Sequence, residues 1–136
     1  MNITIKGNYT GELRCTYEHI KSGQTIITDA PVDNQGKGMA FSPTDLLCAS
    51  LGACLTTIMA IAADQKNIPF EDVSTEIEKR MGTDPRRVVG ITVIVSMRGE
   101  GLEARERSIL EHAAMTCPVA KSLHPDIEQD IRFVYK

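Results

Sequence analysis

The stretch Ser42–Leu55, SPTDLLCASLGACL, leads into a long uncharged apolar segment and decides the fold of the chain. Ser42 is a good helix N-cap, Pro43 fits the first helical position, and Asp45 can return a capping-box hydrogen bond. These signals predict a helix that runs to about Lys66, just before an Asn and a Pro that end it. Because the segment is apolar on nearly every side, we expect the helix to be buried on nearly every side.

The segments around this helix predict the other elements. Three short segments before it, ITIKG, ELRCTYE and QTIITDA, alternate or are β-branched and predict an antiparallel meander. After the helix we expect the strands VSTEIEKRM and RRVVGITVIVSMRG, the helix GLEARERSILEHAAM, a short helix at Cys117-Pro118 and a last strand IRFVYK. No linker or repeat divides residues 1–136, so they predict one α+β domain in which antiparallel sheets wrap around a long buried central helix.

Composition and charge exclude several classes of function. Of the 136 residues, 42% are hydrophobic and 24% charged, as expected of a chain with a packed core. The net charge is −3, and no basic stretch with interleaved aromatics is present, so nucleic-acid binding is not expected. The chain starts without the basic and apolar regions of a signal peptide, which predicts a cytoplasmic protein.

The apolar helix needs cover on more than one side. A membrane-spanning helix is not expected, because the uncharged run from Leu46 to Ala63 contains Ser, Gly and Thr residues and lacks cationic anchors at its start. The few short strands of this chain can cover only part of such a helix. We therefore expect a symmetric homodimer that packs two of these helices together.

The chain has four cysteines, and in a reducing compartment they argue against a structural disulfide framework. Cys48 and Cys54 lie about 120° apart around the helix, so they face different sites. We interpret Cys48 as a small core residue and Cys15 as a strand-face residue. Cys54 has small neighbours, which allow either tight helix packing or access for a partner, and the local sequence does not decide between them.

Cys117 precedes Pro118, which places it at the N-cap of a short helix. There the backbone N–H groups and the helix dipole are expected to lower the pKa of the thiol and raise its reactivity, although a weak structural cap is the simpler interpretation. A zinc site from Cys54, Cys117 and His124 is not expected, because the spacing of paired ligands is absent. The sequence calls for no metal and no cofactor.

The helix motif FSPTDLLCASLGACL and the later motif TCPVAKSL, taken together, resemble the OsmC/Ohr family of osmotically inducible and organic hydroperoxide resistance proteins. The resemblance extends over essentially the whole chain. It implies the OsmC-like fold, an intertwined homodimer with two central helices in its middle and active sites at the dimer interface. Cys54 matches the peroxidatic cysteine of the family, and Cys117 matches its resolving cysteine.

The same resemblance implies a peroxidase of the oxidative stress response, with peroxiredoxin-type chemistry. Cys54 would attack the terminal oxygen of an organic or lipid hydroperoxide, become a sulfenic acid and condense with Cys117 to a disulfide. A lipoyl-type dithiol would then reduce the disulfide. The apolar surroundings favour organic hydroperoxides over hydrogen peroxide.

The sequence departs from the family pattern at one position. Peroxidases of the family carry a Glu directly after the helix-starting Pro, paired with an Arg that supports the thiolate, but this chain has Thr44 there. Asp45 and Arg14 are the remaining candidates for thiolate support. The departure keeps a second hypothesis open, a non-catalytic OsmC-like protein that binds a hydrophobic ligand, senses redox state through its thiols or handles sulfur species. In a third, the cysteines are purely structural.

Overall fold

The computed structural model describes residues 1–136. Its long helix α1 runs from Pro43 to Lys66, as the sequence predicts. The other elements, in chain order, are β1 (Ile5–Gly11), β2 (Arg14–His19), β3 (Thr25–Asp29), a 3-10 turn (Val32–Asn34), β4 (Ser74–Gly82), β5 (Arg87–Met97), α2 (Ala104–Ala114), α3 (Pro118–Ser122) and β6 (Glu128–Tyr135). The chain divides into two compact units, residues 1–47 and residues 48–136. That both belong to one domain stays a prediction.

The first unit contains the predicted antiparallel meander, with strand order β1-β2-β3. Gly11 has a φ of 91°, and Glu12 and Leu13 also have positive φ, so the chain reverses tightly between the first two strands. Most of this sheet is exposed in the single chain. Its large apolar side chains with an exposed fraction above 40% include Ile5, Tyr9, Tyr17, Ile26 and Ile27.

The second unit contains a mixed sheet with the order β4-β5-β6. β4 and β5 pair antiparallel, but β6 runs parallel to β5, so the prediction of purely antiparallel sheets is wrong here. The reason is the connection between β5 and β6, which contains α2 and α3. A parallel neighbour needs a long crossover of this kind, and the sequence-level pattern of β6 does not reveal its direction.

The hydrophobic core belongs to the second unit. Central strand β5 contributes Ile91, Val93 and Val95, which are fully buried. Helix α2 adds Leu110 and Ala114. The buried side of α1 joins the same cluster with residues at helical spacing: Cys48, Leu51, Leu55, Met59 and Ala63.

Helix α1 is buried on one side only, so the prediction of burial on nearly every side is wrong for the single chain. Leu47 and Ile61 are 37% and 46% exposed. By length and hydropathy alone the helix also meets the criteria for a membrane span, a test that the core helices of soluble proteins pass as well. Its apolar composition therefore exceeds what one copy of the chain covers.

Candidate active site

The start of α1 is held by a reciprocal cap. The Ser42 backbone N–H donates to Asp45 Oδ2 at 3.0 Å, and the Asp45 N–H donates to Ser42 Oγ at 3.1 Å. This is the predicted capping box, and it fixes the first turn of the helix that carries Cys54. The Thr44 hydroxyl lies 3.2 Å from Ser42 Oγ. Asp45 is thus engaged in capping, and its role as thiolate support stays a prediction.

Arg14 is held by a carboxylate that the sequence analysis missed. Its Nε and Nη2 donate to the two carboxylate oxygens of Asp29 at 2.7 and 2.8 Å. The two residues are direct neighbours across β2 and β3. Asp29 is fully buried and also accepts from the Met39 N–H at 3.2 Å. An acidic residue at the end of a strand looks like an ordinary turn residue in the sequence, so no local signal marks Asp29 as buried.

This ion pair shifts both groups toward their charged forms. The hydrogen bonds from Arg14 lower the pKa of the Asp29 carboxyl against the opposing effect of burial, and Asp29 raises the pKa of Arg14. Two N–H groups in a fork geometry fix the plane of the guanidinium. Arg14 is therefore a positive charge with a defined orientation rather than a mobile surface side chain.

The structure brings Cys54 and Cys117 together. Cys54 lies on α1 and is half-buried, with its side chain against the hydrophobic core. Cys117 lies at the N-cap of α3, as predicted, and it is also fully buried. Its Sγ accepts a hydrogen bond from the Ala120 N–H at 3.4 Å. Cys54 lies close enough to Cys117 to act on the pKa of its thiol. No disulfide joins any of the four cysteines of the chain.

The prediction that the N-cap lowers the pKa of Cys117 is wrong. Burial raises the pKa of the Cys117 thiol, and the neighbouring Cys54 raises it further. The N–H groups of Ala120 and Val119 act in the opposite direction but do not prevail. Desolvation depends on tertiary packing, which the Cys-Pro signature does not reveal. Cys117 is therefore a protonated, shielded thiol, whereas Cys54 is the more accessible of the two.

The small residues around Cys54 serve packing at one position at least. A Cβ placed on Gly52 would lie 2.6 Å from Ile77 Cδ1 of β4, so the glycine permits a close approach of α1 to the sheet. Ala53, the next residue, is exposed. Tight packing is confirmed at Gly52, and access of a partner to the Cys54 sulfur stays a prediction.

The remaining cysteines lie where the sequence predicts. Cys48 is buried in the core, and Cys15 is a strand-face residue of β2. In the first unit Cys15 lines an apolar cavity of about 380 Å³, together with Ile5, Tyr17, Ile26, Thr28, Pro43 and Leu46. His124 is exposed, and its Nδ1 accepts from the Asp126 N–H at 3.0 Å. No group of three or more His, Cys, Asp or Glu side chains has the arrangement of a metal site.

Residues 36–132 match the OsmC-like protein family. The chain belongs to this family. The match covers the loop before α1 and both cysteines of the site. Among the curated proteins, no sequence matches the chain.

Solved structures support the same assignment. A protein from Psychrobacter arcticus 273-4, provisionally described as an osmotic stress induced and detoxification response protein, is 45% identical and has a TM-score of 0.92, over 98% of this chain and 96% of its own. An organic hydroperoxide resistance protein OsmC from Legionella pneumophila is 20% identical, with a TM-score of 0.75 over 97% of each chain. An organic hydroperoxide resistance protein from Elizabethkingia anophelis is 15% identical, with a TM-score of 0.76 over 100% and 99%. The last two show the α+β OsmC-like fold alone.

The unequal exposure of the paired thiols predicts the order in which they are alkylated. In the native protein, a limiting amount of N-ethylmaleimide should modify Cys54 before Cys117, because Cys117 is buried and its raised pKa keeps it protonated. Peptide mapping at timed intervals measures this order, with buried Cys48 as an internal control for slow modification. Equal rates for Cys54 and Cys117 in the native protein would contradict the geometry, whereas equal rates in denaturant are expected.

The ion pair of Asp29 predicts a specific dependence of stability on pH. Its pKa is lower in the folded than in the unfolded chain, so its stabilising contribution is present above the unfolded carboxyl pKa of about 3.9 and is lost as the pH falls through the folded value. Asp29→Asn should lower the free energy of unfolding at pH 7, and its difference from wild type should shrink below about pH 4. Urea unfolding at pH 7, 5, 4 and 3 measures this, with the exposed Asp64→Asn as the matched control. A difference that stays constant down to pH 3 would contradict the assignment.

Proposed function

We propose that the protein is a thiol-dependent peroxidase that reduces organic and lipid hydroperoxides through Cys54 and Cys117. The observation that carries the proposal is the proximity of a half-buried and a fully buried thiol in a chain of the OsmC-like family. Sulfenic acid chemistry needs one accessible sulfur that reacts with the oxidant and a second sulfur close enough to trap the product. Cys54 and Cys117 satisfy these two needs in that order.

The reaction proceeds in two balanced steps. The Cys54 thiolate attacks the terminal oxygen of ROOH, the O–O bond breaks, and the leaving alkoxide takes up a proton to give the alcohol ROH and a Cys54 sulfenic acid. The Cys117 sulfur then attacks the Cys54 sulfur, a disulfide forms, and the hydroxyl leaves with the Cys117 proton as water. A dithiol of the lipoyl type returns the disulfide to two thiols and is itself oxidised.

The burial of Cys117 suits the resolving role. A protonated, shielded thiol does not compete for the hydroperoxide, and it resists modification until the adjacent Cys54 becomes electrophilic. The side chain of Cys54 packs against the apolar core, so the carbon chain of an organic hydroperoxide gains contacts that hydrogen peroxide cannot make. We expect the reaction to prefer alkyl and lipid hydroperoxides for this reason.

Arg14 and Asp45 are the proposed supports of the Cys54 thiolate. A guanidinium favours a nearby anion, whereas a carboxylate can act only through such a cation. Asp29 holds Arg14 with two of its N–H groups, which leaves Nη1 available to a further acceptor. In this proposal Asp29 supplies the carboxylate that the family places at the position of Thr44.

The active unit is proposed to be a homodimer. Large apolar side chains are exposed on the β1–β3 sheet, and Leu47 and Ile61 are exposed on α1. Where exposed apolar side chains lie together, they mark interaction surfaces. A second copy of the same chain would cover these surfaces by twofold symmetry. The proposed location is the cytoplasm, where the thiols are kept reduced.

The second candidate is a non-catalytic protein that binds a hydrophobic ligand or reports redox state through its thiols. The apolar cavity of about 380 Å³ in the first unit is the observation that favours it, together with Thr44 at the position of the family Glu. Drug-sized ligands occupy cavities of this order. A lipid or acyl compound that copurifies with the protein, seen by native mass spectrometry, combined with slow oxidation, would select this candidate over the peroxidase.

Turnover with variants tests the proposed peroxidase. With dihydrolipoamide as reductant, the wild type should consume tert-butyl hydroperoxide faster than hydrogen peroxide, and Cys54→Ser should reduce turnover to the uncatalysed background because the attacking sulfur is gone. Cys15→Ser is the matched control and should keep the wild-type rate. Turnover that survives Cys54→Ser would eliminate the proposed mechanism.

The dimer predicts a measurable mass in solution. Sedimentation equilibrium should give twice the 14.9 kDa mass of the chain. Ile26→Asp places a charge on an exposed apolar strand position and should shift the equilibrium toward monomer, whereas Thr25→Asp on the same strand is the control. A monomer at all concentrations up to about 100 µM would refute the dimer, since specific dimers associate more tightly than this.

A further inference from the structure

The position of Cys117 depends on a helix that is too short to be stable alone. α3 has five residues, Pro118–Ser122, and isolated helices of this length do not persist in water. Its stability must therefore come from groups outside it. Carbonyl groups in the last turn of a helix also have no partner within the helix, and they need donors from elsewhere.

One side chain of the neighbouring strand supplies such a donor. Gln129 of β6 donates from Nε2 to the Ala120 carbonyl at 3.0 Å. The N–H of the same Ala120 donates to Cys117 Sγ at 3.4 Å. Cys54 lies near enough to Cys117 to raise the pKa of its thiol. A series of two hydrogen bonds thus leads from the strand through Ala120 to the Cys117 thiol, which lies beside Cys54.

The strand end of this series is firmly anchored. Gln129 lies opposite Ile91 in the parallel pairing of β6 with β5, and Ile91 is fully buried in the centre of the core. Gln129 itself is half-buried, so water competes less for its amide than at an exposed position. The amide therefore transmits the fixed position of the sheet to the turn that carries Cys117.

We propose that Gln129 is a positioning residue that holds Cys117 against Cys54 for disulfide formation. The inference rests on the proposed peroxidase function and assigns a residue to its second step. A disulfide requires the two sulfurs to meet at about 2.05 Å with a restricted dihedral angle, so a small loss of order in α3 slows the attack on the sulfenic acid. The first step, attack of Cys54 on the hydroperoxide, does not use Cys117 and is independent of Gln129.

The two steps are separated by rapid mixing with tert-butyl hydroperoxide. Dimedone traps the Cys54 sulfenic acid, and quenching with N-ethylmaleimide followed by mass spectrometry counts the Cys54–Cys117 disulfide. Gln129→Met keeps the length of the side chain but removes the donor, and Gln129→Glu keeps its shape but replaces the donor by an acceptor that faces the carbonyl. Gln24→Met, in the exposed turn between β2 and β3, is the matched control.

In both Gln129 variants the sulfenic acid should form at the wild-type rate, within about twofold, and its conversion to the disulfide should slow by about fivefold. Dimedone adducts should rise correspondingly, and Gln24→Met should match the wild type. If Gln129→Met fails to fold, Gln129→Glu decides the question.

Three outcomes would overturn the inference. If the wild type forms the disulfide and both variants convert the sulfenic acid to it at the wild-type rate, the role of Gln129 is wrong and the proposed peroxidase stands. Equal slowing of both steps would show that Gln129 supports the fold generally rather than Cys117. A wild type that forms no disulfide at all would overturn the proposed function and the inference together.

Discussion

The packing of one side of α1 into the core of the second unit is the constraint on which the candidate site depends. Leu51, Leu55 and Met59 are completely buried, so the rotation of the helix about its axis is fixed. Cys54 lies next to this buried stripe and is half-buried as a result. A rotation that exposed Cys54 fully would withdraw a neighbouring leucine from the core, at a cost of about 2–5 kcal/mol by analogy with large core truncations. The accessibility of the thiol is therefore set by the core.

The same core also buries the sulfur of Cys117, which another segment of the chain contributes. Cys117 is a member of the buried cluster although it lies in a segment between two short helices. The Ala120 N–H and the amide of Gln129 order that segment, and burial rather than the helix dipole determines the pKa of its thiol. Two cysteines far apart in the sequence thus acquire different properties through packing. In the proposed peroxidase, this difference in burial is what distinguishes the attacking sulfur of Cys54 from the trapping sulfur of Cys117.

Local chemistry in the sequence was sufficient for some features and not for others. The Ser42–Asp45 capping box and the N-cap position of Cys117 follow from residues within one turn, and both are confirmed. The parallel direction of β6, the raised pKa of Cys117 and the partner of Arg14 each depend on segments that meet only in the folded chain. The pairing of Cys54 with Cys117 came from the resemblance to a family, since nothing near Cys54 distinguishes a working thiol from a packed one. The sequence predicted that the short strands cover only part of α1, but composition does not reveal which side of the helix stays exposed.

Intact-mass analysis with disulfide mapping tests the central claim, that Cys54 and Cys117 form a working pair, most directly. The reduced protein is treated for seconds with one equivalent of tert-butyl hydroperoxide, and separately with hydrogen peroxide. The account predicts a rapid loss of two hydrogens that maps to a Cys54–Cys117 disulfide and is faster with the organic hydroperoxide. Unchanged thiols, or slow oxidation scattered over all four cysteines, would contradict it and would mean that the fold keeps its sulfurs without the reaction.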